Sequence, residues 1–253
     1  QGNKVGTSRS GDLSLRNKDT GIYATRTNIL IGDYNPINGN IISGNRGQGI
    51  HVENSTTAFT ATILNNVIGT NLSGTAVVTN AYNGILAIGL QDVFIQNNLV
   101  SGNGASGINL NGRSSMTATI CGNLIGTNLA GDVGLGNGGD GVYAQGTNLV
   151  IGASATCEEN LISGNAYTGL SIHGDSSLSA IIQGNKIGTD PSGQNPIGQG
   201  GNGIWSEGLN LTVGGPKVED GNLISGNTQT GLVITGTVYA LVENNRLGTN
   251  IDG

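Results

Sequence analysis

Charge is scarce in this chain of 253 residues. Only 10 % are Asp, Glu, Lys or Arg, and the balance is acidic, with a net charge of −6 and a pI near 4.7. A basic footprint for nucleic acid or for an anionic membrane surface is therefore missing. Proline occurs 4 times and Phe 2 times, too few for a collagen-like chain or a proline-rich linker. No apolar run approaches the roughly 20 residues of a membrane-spanning helix, so membrane insertion is not expected. No signal-peptide pattern follows Gln1. A helical period of 3.6 residues persists nowhere, which removes helical bundles and coiled coils.

What the chain has is 46 glycines and 33 asparagines. Such a composition fits a disordered low-complexity segment until the positions are aligned. The pattern of Asn160–Asn165 (N-L-I-S-G-N) then recurs nine times, with its first Asn at Asn3, Asn40, Asn66, Asn98, Asn123, Asn160, Asn185, Asn222 and Asn245. Two places on, every copy is aliphatic: Val5, Ile42, Ile68, Val100, Ile125, Ile162, Ile187, Ile224 and Leu247. Five places on, the column reads Ser8, Asn45, Asn71, Asn103, Asn128, Asn165, Asp190, Asn227 and Asn250. A disordered chain has no reason to keep such columns in register. Copies ending in Ser-Gly-Asn alternate with copies ending in Gly-Thr, so the unit is a pair of about 60 residues, as expected of a repeat solenoid.

Between anchors stands a Gly followed by an aliphatic residue (Gly49-Ile50, Gly107-Ile108, Gly141-Val142, Gly203-Ile204), and a third short apolar run follows it. Runs of three to five alternating residues broken by Gly and Asn have strand periodicity. Each is too short to bury much alone. Stacked on its equivalent at roughly 4.8 Å, it completes a parallel sheet around a shared aliphatic core. The expected fold is all-β: a right-handed, single-stranded parallel β-helix of about eight coils over residues 1–253, right-handed because parallel crossovers are. Gly and Asn suit the corners because they tolerate left-handed backbone. Stacked amides of Asn40, Asn66, Asn98, Asn123, Asn160, Asn185, Asn222 and Asn245 would form a structural ladder. Longer segments (129–140, 191–202, 153–159 and 215–221) read as projecting loops. Both termini lie inside a repeat, so we expect a segment of a longer protein.

Cys121 and Cys157 precede their anchors on adjacent coils, where Cα atoms fall near the 4.4–6.8 Å of a disulfide. They form either a bridge, implying an oxidising compartment, or two buried thiols. The residue after each anchor Asn is Lys4, Ile41, Val67, Leu99, Leu124, Leu161, Lys186, Leu223 or Arg246. The basic members make this an outward column, yet six of nine are aliphatic. Either the long inserts fold over the stripe or it receives a neighbouring chain. With open coil ends, this makes self-association, end to end or along the stripe, an expectation.

The motifs N-x-I-S-G-N and G-N-x-I-G-T-N resemble the right-handed parallel β-helix repeat family, in particular long secreted or surface-displayed bacterial proteins. The resemblance spans essentially the whole chain and implies an extracellular or cell-surface location. It is specific for architecture and unspecific for activity, because the fold carries lyases, hydrolases, epimerases, tailspikes, adhesins and stalks.

In the strand after each Gly-aliphatic pair, the second and fourth residues face solvent. The second row reads Tyr23, His51, Leu86, Asn109, Tyr143, Ser171, Trp205 and Val233. Tyr23, Tyr143 and Trp205 lie on alternate coils beside the polar fourth-row residues Gln145 and Glu207. Two coils make roughly 9.6 Å, near the repeat of an extended disaccharide, so these residues are candidates for holding a glycan. Ordinary sheet-surface packing is the leading explanation of these aromatics, since strands favour them. An enzyme of this fold would need converging carboxylates or a base with a charge stabiliser. Asp12, Asp132 and Asp140 lie in loops, and Glu158-Glu159 and Glu219-Asp220 in inserts. The cluster to inspect is His173, Asp175 and Glu207. His173-Gly174 resembles the Gly-His-Gly element of polygalacturonases, but Ile172 replaces the first glycine and no Asp-Asp pair accompanies it. Two His and two isolated Cys do not make a zinc set. No cofactor is expected, beyond a weak Ca²⁺ on loop carboxylates such as Asp132 and Asp140. A Thr column on every second coil is too sparse for an ice-binding face. The expectation is a non-catalytic structural or adhesive module, with a polysaccharide or cell-surface glycan as partner. The alternative is a polysaccharide-active enzyme, lyase or epimerase ahead of glycoside hydrolase.

Overall fold

A computed structural model describes residues 2–54, 59–152, 157–237 and 239–253. The anchors form two-residue strands (Lys4–Val5, Ile41–Ile42, Val67–Ile68, Leu99–Val100, Leu124–Ile125, Leu161–Ile162, Lys186–Ile187, Leu223–Ile224 and Arg246–Leu247) that stack in chain order as a 9-stranded sheet. The second and third strands of each coil belong to a 14-stranded sheet. They are separate in Ile50–Glu53 and Thr60–Leu64 but continuous in Ile108–Cys121 and Val142–Gly152. Pairing between coils is parallel, and like meets like: Ile42 with Ile68, Val100 with Ile125, Ile162 with Ile187. The result is a parallel solenoid whose inward aliphatics, Ile42 to Ile224 of the anchor column among them, are fully buried in one core.

Alternation sets the inner and outer faces. Ile50 and Val52 are buried while His51 and Glu53 between and beyond them are half-exposed. Inward third positions alternate small and large from coil to coil (Ala24, Val52, Ala87, Leu110, Ala144, Ile172, Ser206, Ile234), so side chains of adjacent layers interdigitate.

The asparagine ladder runs unbroken. Each Nδ2 donates to the Oδ1 of the next rung, from Asn3 through Asn40, Asn66, Asn98, Asn123, Asn160, Asn185 and Asn222 to Asn245, at 2.8–3.1 Å. The same Nδ2 also donates to a strand carbonyl, as Asn160 does to Ile120 O. These buried amides thereby satisfy corner groups that have no sheet partner. Their backbone is not left-handed. Where the corner holds a left-handed residue it is the preceding one, as at Asn65, Asn97, Gly122 and Asn244, so the ladder Asn is required for its amide and not for its φ.

A second ladder combines two classes of residue. Asn45, Asn103 and Asn165 of the Ser-Gly copies alternate with Asn80, Asn137 and Gln199 at loop ends, joined at 2.8–3.0 Å. The other members of the expected column have a different task. Asn71, Asn128 and Asp190 head a six-residue turn whose backbone N–H groups donate to their side chains. Desolvation pushes the Asp190 carboxyl up. Hydrogen bonds from Asn195 and Ser192 side chains and the Asn195 and Gln194 N–H groups outweigh it and hold the pKa at about 2.

Segments 129–140 and 191–202 therefore do not project. They fold back over the anchor stripe, where a Cβ on Gly131 or Gly193 would lie 2.8 Å from Leu161 or Leu223 Cδ2. Ile41, Leu99, Leu161 and Leu223 are buried beneath such loops. Of the two alternatives for the stripe, the inserts fold over it at these four positions, while Val67 and Leu124 stay partly exposed. Four members of the Thr column are buried as well (Thr7, Thr70, Thr127, Thr189) and the last, Thr249, is exposed, so this column presents no exposed row for ice. Ser43 and Ser163 explain the alternation of copies, since each hydroxyl donates to the next Thr carbonyl at 2.8 Å and accepts from the preceding Gly N–H. Gly215–Gly221 contains one 3-10 turn, Val218–Asp220. Residues 153–156 of the other proposed insert lie outside the described residues.

Gly141 shows why the landmark glycine is needed: its φ is unexceptional, but a Cβ there would lie 2.7 Å from Gly169 O and 2.8 Å from Ile162 Cγ2. Gly126 is needed twice over, at φ +91 and with Ser163 O and Asn165 Oδ1 occupying the place of a Cβ. Cys121 and Cys157 form a disulfide across neighbouring coils, with Cα atoms 5.7 Å apart.

Candidate functional site

The outward face of the second strands is where layers differ most. Register places Tyr23, His51, Leu86, Asn109, Tyr143, Ser171, Trp205 and Val233 in one row, and Thr25, Glu53, Ile88, Asn111, Gln145, His173, Glu207 and Thr235 in the next. Both rows stand on a buried inner row, so the backbone holding them is fixed by the core. The two histidines of the chain fall on this face, and each stands between a tyrosine and a glutamate.

In the first cluster, Tyr23 Oη donates to Glu53 Oε1, and the Tyr23 ring meets His51 edge-on with centroids 5.2 Å apart. The Glu53 hydrogen bond, with some desolvation, pushes the Tyr23 hydroxyl above its ordinary pKa. His51 Nε2 lies 3.3 Å from Glu53 Oε2, yet this buried nitrogen makes no hydrogen bond. The contact has ion-pair distance without hydrogen-bond alignment, so we read it as electrostatic proximity only.

In the second cluster three successive layers contribute. The Tyr143 ring lies 5.4 Å from His173, tilted by 37°. His173 Nδ1 is 3.3 Å from Glu207 Oε2, and its Nε2 is 3.0 Å from Ser171 Oγ. Beside it opens a polar hollow of about 340 Å³ lined by Asn111, Arg113, Gln145, His173, Asp175 and Leu178. Asp140 sits close enough for the His173 charge to act on it. Burial pushes its carboxyl up, against the Thr168 N–H it accepts and that charge. Arg26 and Arg113 both hold left-handed backbone beyond the fourth row, Arg26 at the position filled by Gly at 89, 146 and 208 and Arg113 one residue further on. Their side chains line a second hollow with Glu53.

Of the candidate catalytic trio, His173 and Glu207 are brought together. Asp175 shares the hollow, but its Oδ1 accepts from the backbone N–H and hydroxyl of Ser177, and the Ser177 hydroxyl foremost holds its pKa down. The glycan candidates share one face unequally. Tyr23 is 55 % exposed, Tyr143 and Trp205 are half-buried, and Trp205 Nε1 is buried without a partner. Gln145 accepts a 3.4 Å hydrogen bond from Tyr143 Oη. Among the described residues, no group of three or more His, Cys, Asp and Glu side chains is arranged to hold a metal ion. Asp132 is exposed and accepts a hydrogen bond from the Asn128 amide.

Ser171, His173 and Glu207 have the sequence of contacts of a nucleophile, base and orienting acid. Ser171 is only 9 % exposed, and its strand is paired on both sides, so its backbone N–H groups cannot form an oxyanion cradle. The relay fixes the His173 ring. Ser171 and His51 carried no role in the sequence reading. Their signal was present, since His51-Val52-Glu53 and Ser171-Ile172-His173 each place two polar residues on one side of a strand.

No curated protein and no solved structure matches the chain. A family model described as the right-handed β-helix region matches residues 16–187, more than half of the chain. With its parallel stacked coils and asparagine ladder, the chain belongs to the right-handed β-helix family.

Proposed function

We propose that this β-helix is a structural or adhesive module of a secreted or cell-surface bacterial protein, and that it holds a glycan chain along the outward face of its second strands. The observation that carries this reading is the Tyr143–His173–Glu207 cluster, three side chains in contact from three successive layers, of which His173 also lines a polar hollow. A tyrosine ring stacks on the C–H face of a sugar, while the carboxylate and imidazole take its hydroxyls. The Cys121–Cys157 bridge suits an oxidising compartment. A glycan-array screen tests the reading: binding weakened by Trp205→Ala without turnover supports it, and an array with no bound glycan contradicts it.

The second reading, a polysaccharide-active enzyme, is favoured by one contact set, His173 between Ser171 and Glu207. Turnover of an acidic polysaccharide in a lyase assay, abolished by His173→Ala, would establish it in place of the first.

A further inference from the structure

The two Tyr–His–Glu clusters share a spacing as well as a composition. Tyr23 and Tyr143 are separated by four layers of the same row, through His51, Leu86 and Asn109. His51 and His173 are also four layers apart, across Leu86 or Ile88, Asn109 or Asn111, and Tyr143 or Gln145. At the spacing of parallel strands, four layers make about 19 Å. The layers between offer the half-buried Leu86 and Ile88 and the side chains of Asn109 and Asn111, with no charged group on either row. Each cluster holds a ring pair near 5 Å and a glutamate oxygen 3.3 Å from an imidazole nitrogen.

We infer that the two clusters are the end subsites of one binding track, which takes a neutral, extended polysaccharide lying across the strands and spanning both. This rests on the glycan reading above and adds to it the class and length of the ligand. Length follows from spacing: two layers make roughly 9.6 Å, near the repeat of an extended disaccharide, so four layers correspond to about four sugar residues between subsites, and five or six to occupy both. The chemical class follows from the acceptors. Glu53 and Glu207 are the central partners of the two clusters and Asp140 and Asp175 flank the second, so a chain bearing its own carboxylates would meet like charge, which Arg26 and Arg113 at the turn edge offset only in part. Uncharged hydroxyls donating to those carboxylates make charge-assisted hydrogen bonds.

Two subsites on one rigid face make the second contact intramolecular, so affinity should climb steeply once a chain reaches both. The test is titration calorimetry of the full chain with the disaccharide and hexasaccharide of cellulose and of chitin, and with hexagalacturonate as the anionic probe. We expect a neutral hexasaccharide to bind about a hundredfold more tightly than its disaccharide. Tyr23→Ala and Tyr143→Ala should each return it to disaccharide affinity, with the circular dichroism of both variants unchanged. Equal affinity for short and long chains, or loss with only one of the two variants, would leave glycan binding in place and overturn the two-ended track. Tighter binding of hexagalacturonate would overturn the neutral class. No binding of any hexasaccharide would remove the glycan reading and this inference with it.

Discussion

The anchor corner and the outward face of the second strands lie on the same coils and obey opposite rules. At the corner every layer repeats the last: an Asn amide, an inward aliphatic residue, then Ser-Gly or Gly-Thr. The amides are buried and bonded above and below, and a Cβ on the glycines would strike the neighbouring layer. On the face, eight layers offer Tyr, His, Leu, Asn, Tyr, Ser, Trp and Val in one row. A repeat can vary only where the next layer makes no demand. The corner therefore records the fold, and the face is where a binding property can reside without cost to the stack.

Substitutions can break that contrast from either side. The largest loss is expected from Gly126→Ala, where a methyl group meets Ser163 O and Asn165 Oδ1 at a backbone angle disfavoured for L residues. Strain and overpacking together should cost about 4 kcal/mol, read as a fall in the urea midpoint. Asn160→Ala comes next. It removes the acceptor of the Asn123 N–H and Nδ2 and the donor to Ile120 O in a site closed to water. Leaving these groups unmet should cost about 3 kcal/mol.

Asp190 gives a smaller, pH-dependent effect. Its folded pKa of about 2 lies below the ordinary 3.8, so its contribution is present above about pH 4 and is lost as pH falls through 2. Asp190→Asn, which restores the residue found at Asn71 and Asn128, should flatten the acid limb of the unfolding profile between pH 4 and 2. An unchanged acid limb would mean that the turn contributes nothing there. The smallest effect on stability is expected on the face. Tyr143→Ser copies the Ser171 of the adjacent layer and should move the urea midpoint by no more than the equivalent of about 0.5 kcal/mol.

Much of the corner was legible in the sequence because a stacked core makes the same demand in every layer, and the Ile42–Ile224 column answers it without exception. The second ladder was harder to see. Asn80, Asn137 and Gln199 come nine residues after Asn71, Asn128 and Asp190 and outside the anchor motif, so the loops that carry them resembled projections. On the face, both rows could be listed from alternation alone. The partnership of Ser171 and His173 with Glu207 could not, because it depends on which side chains lean toward each other across layers 34 residues apart. Asp175 looked like a member of that group by proximity in sequence, yet its turn binds it to Ser177.

The most direct test of the division between corner and face is to unfold Asn160→Ala and Tyr143→Ser side by side in urea at pH 7, with the unaltered chain as reference. A midpoint that falls by the equivalent of about 3 kcal/mol for the first and stays within about 0.5 kcal/mol for the second would agree with the account. Equal losses, or a larger loss for Tyr143→Ser, would contradict it, because the face would then be part of what holds the coils together.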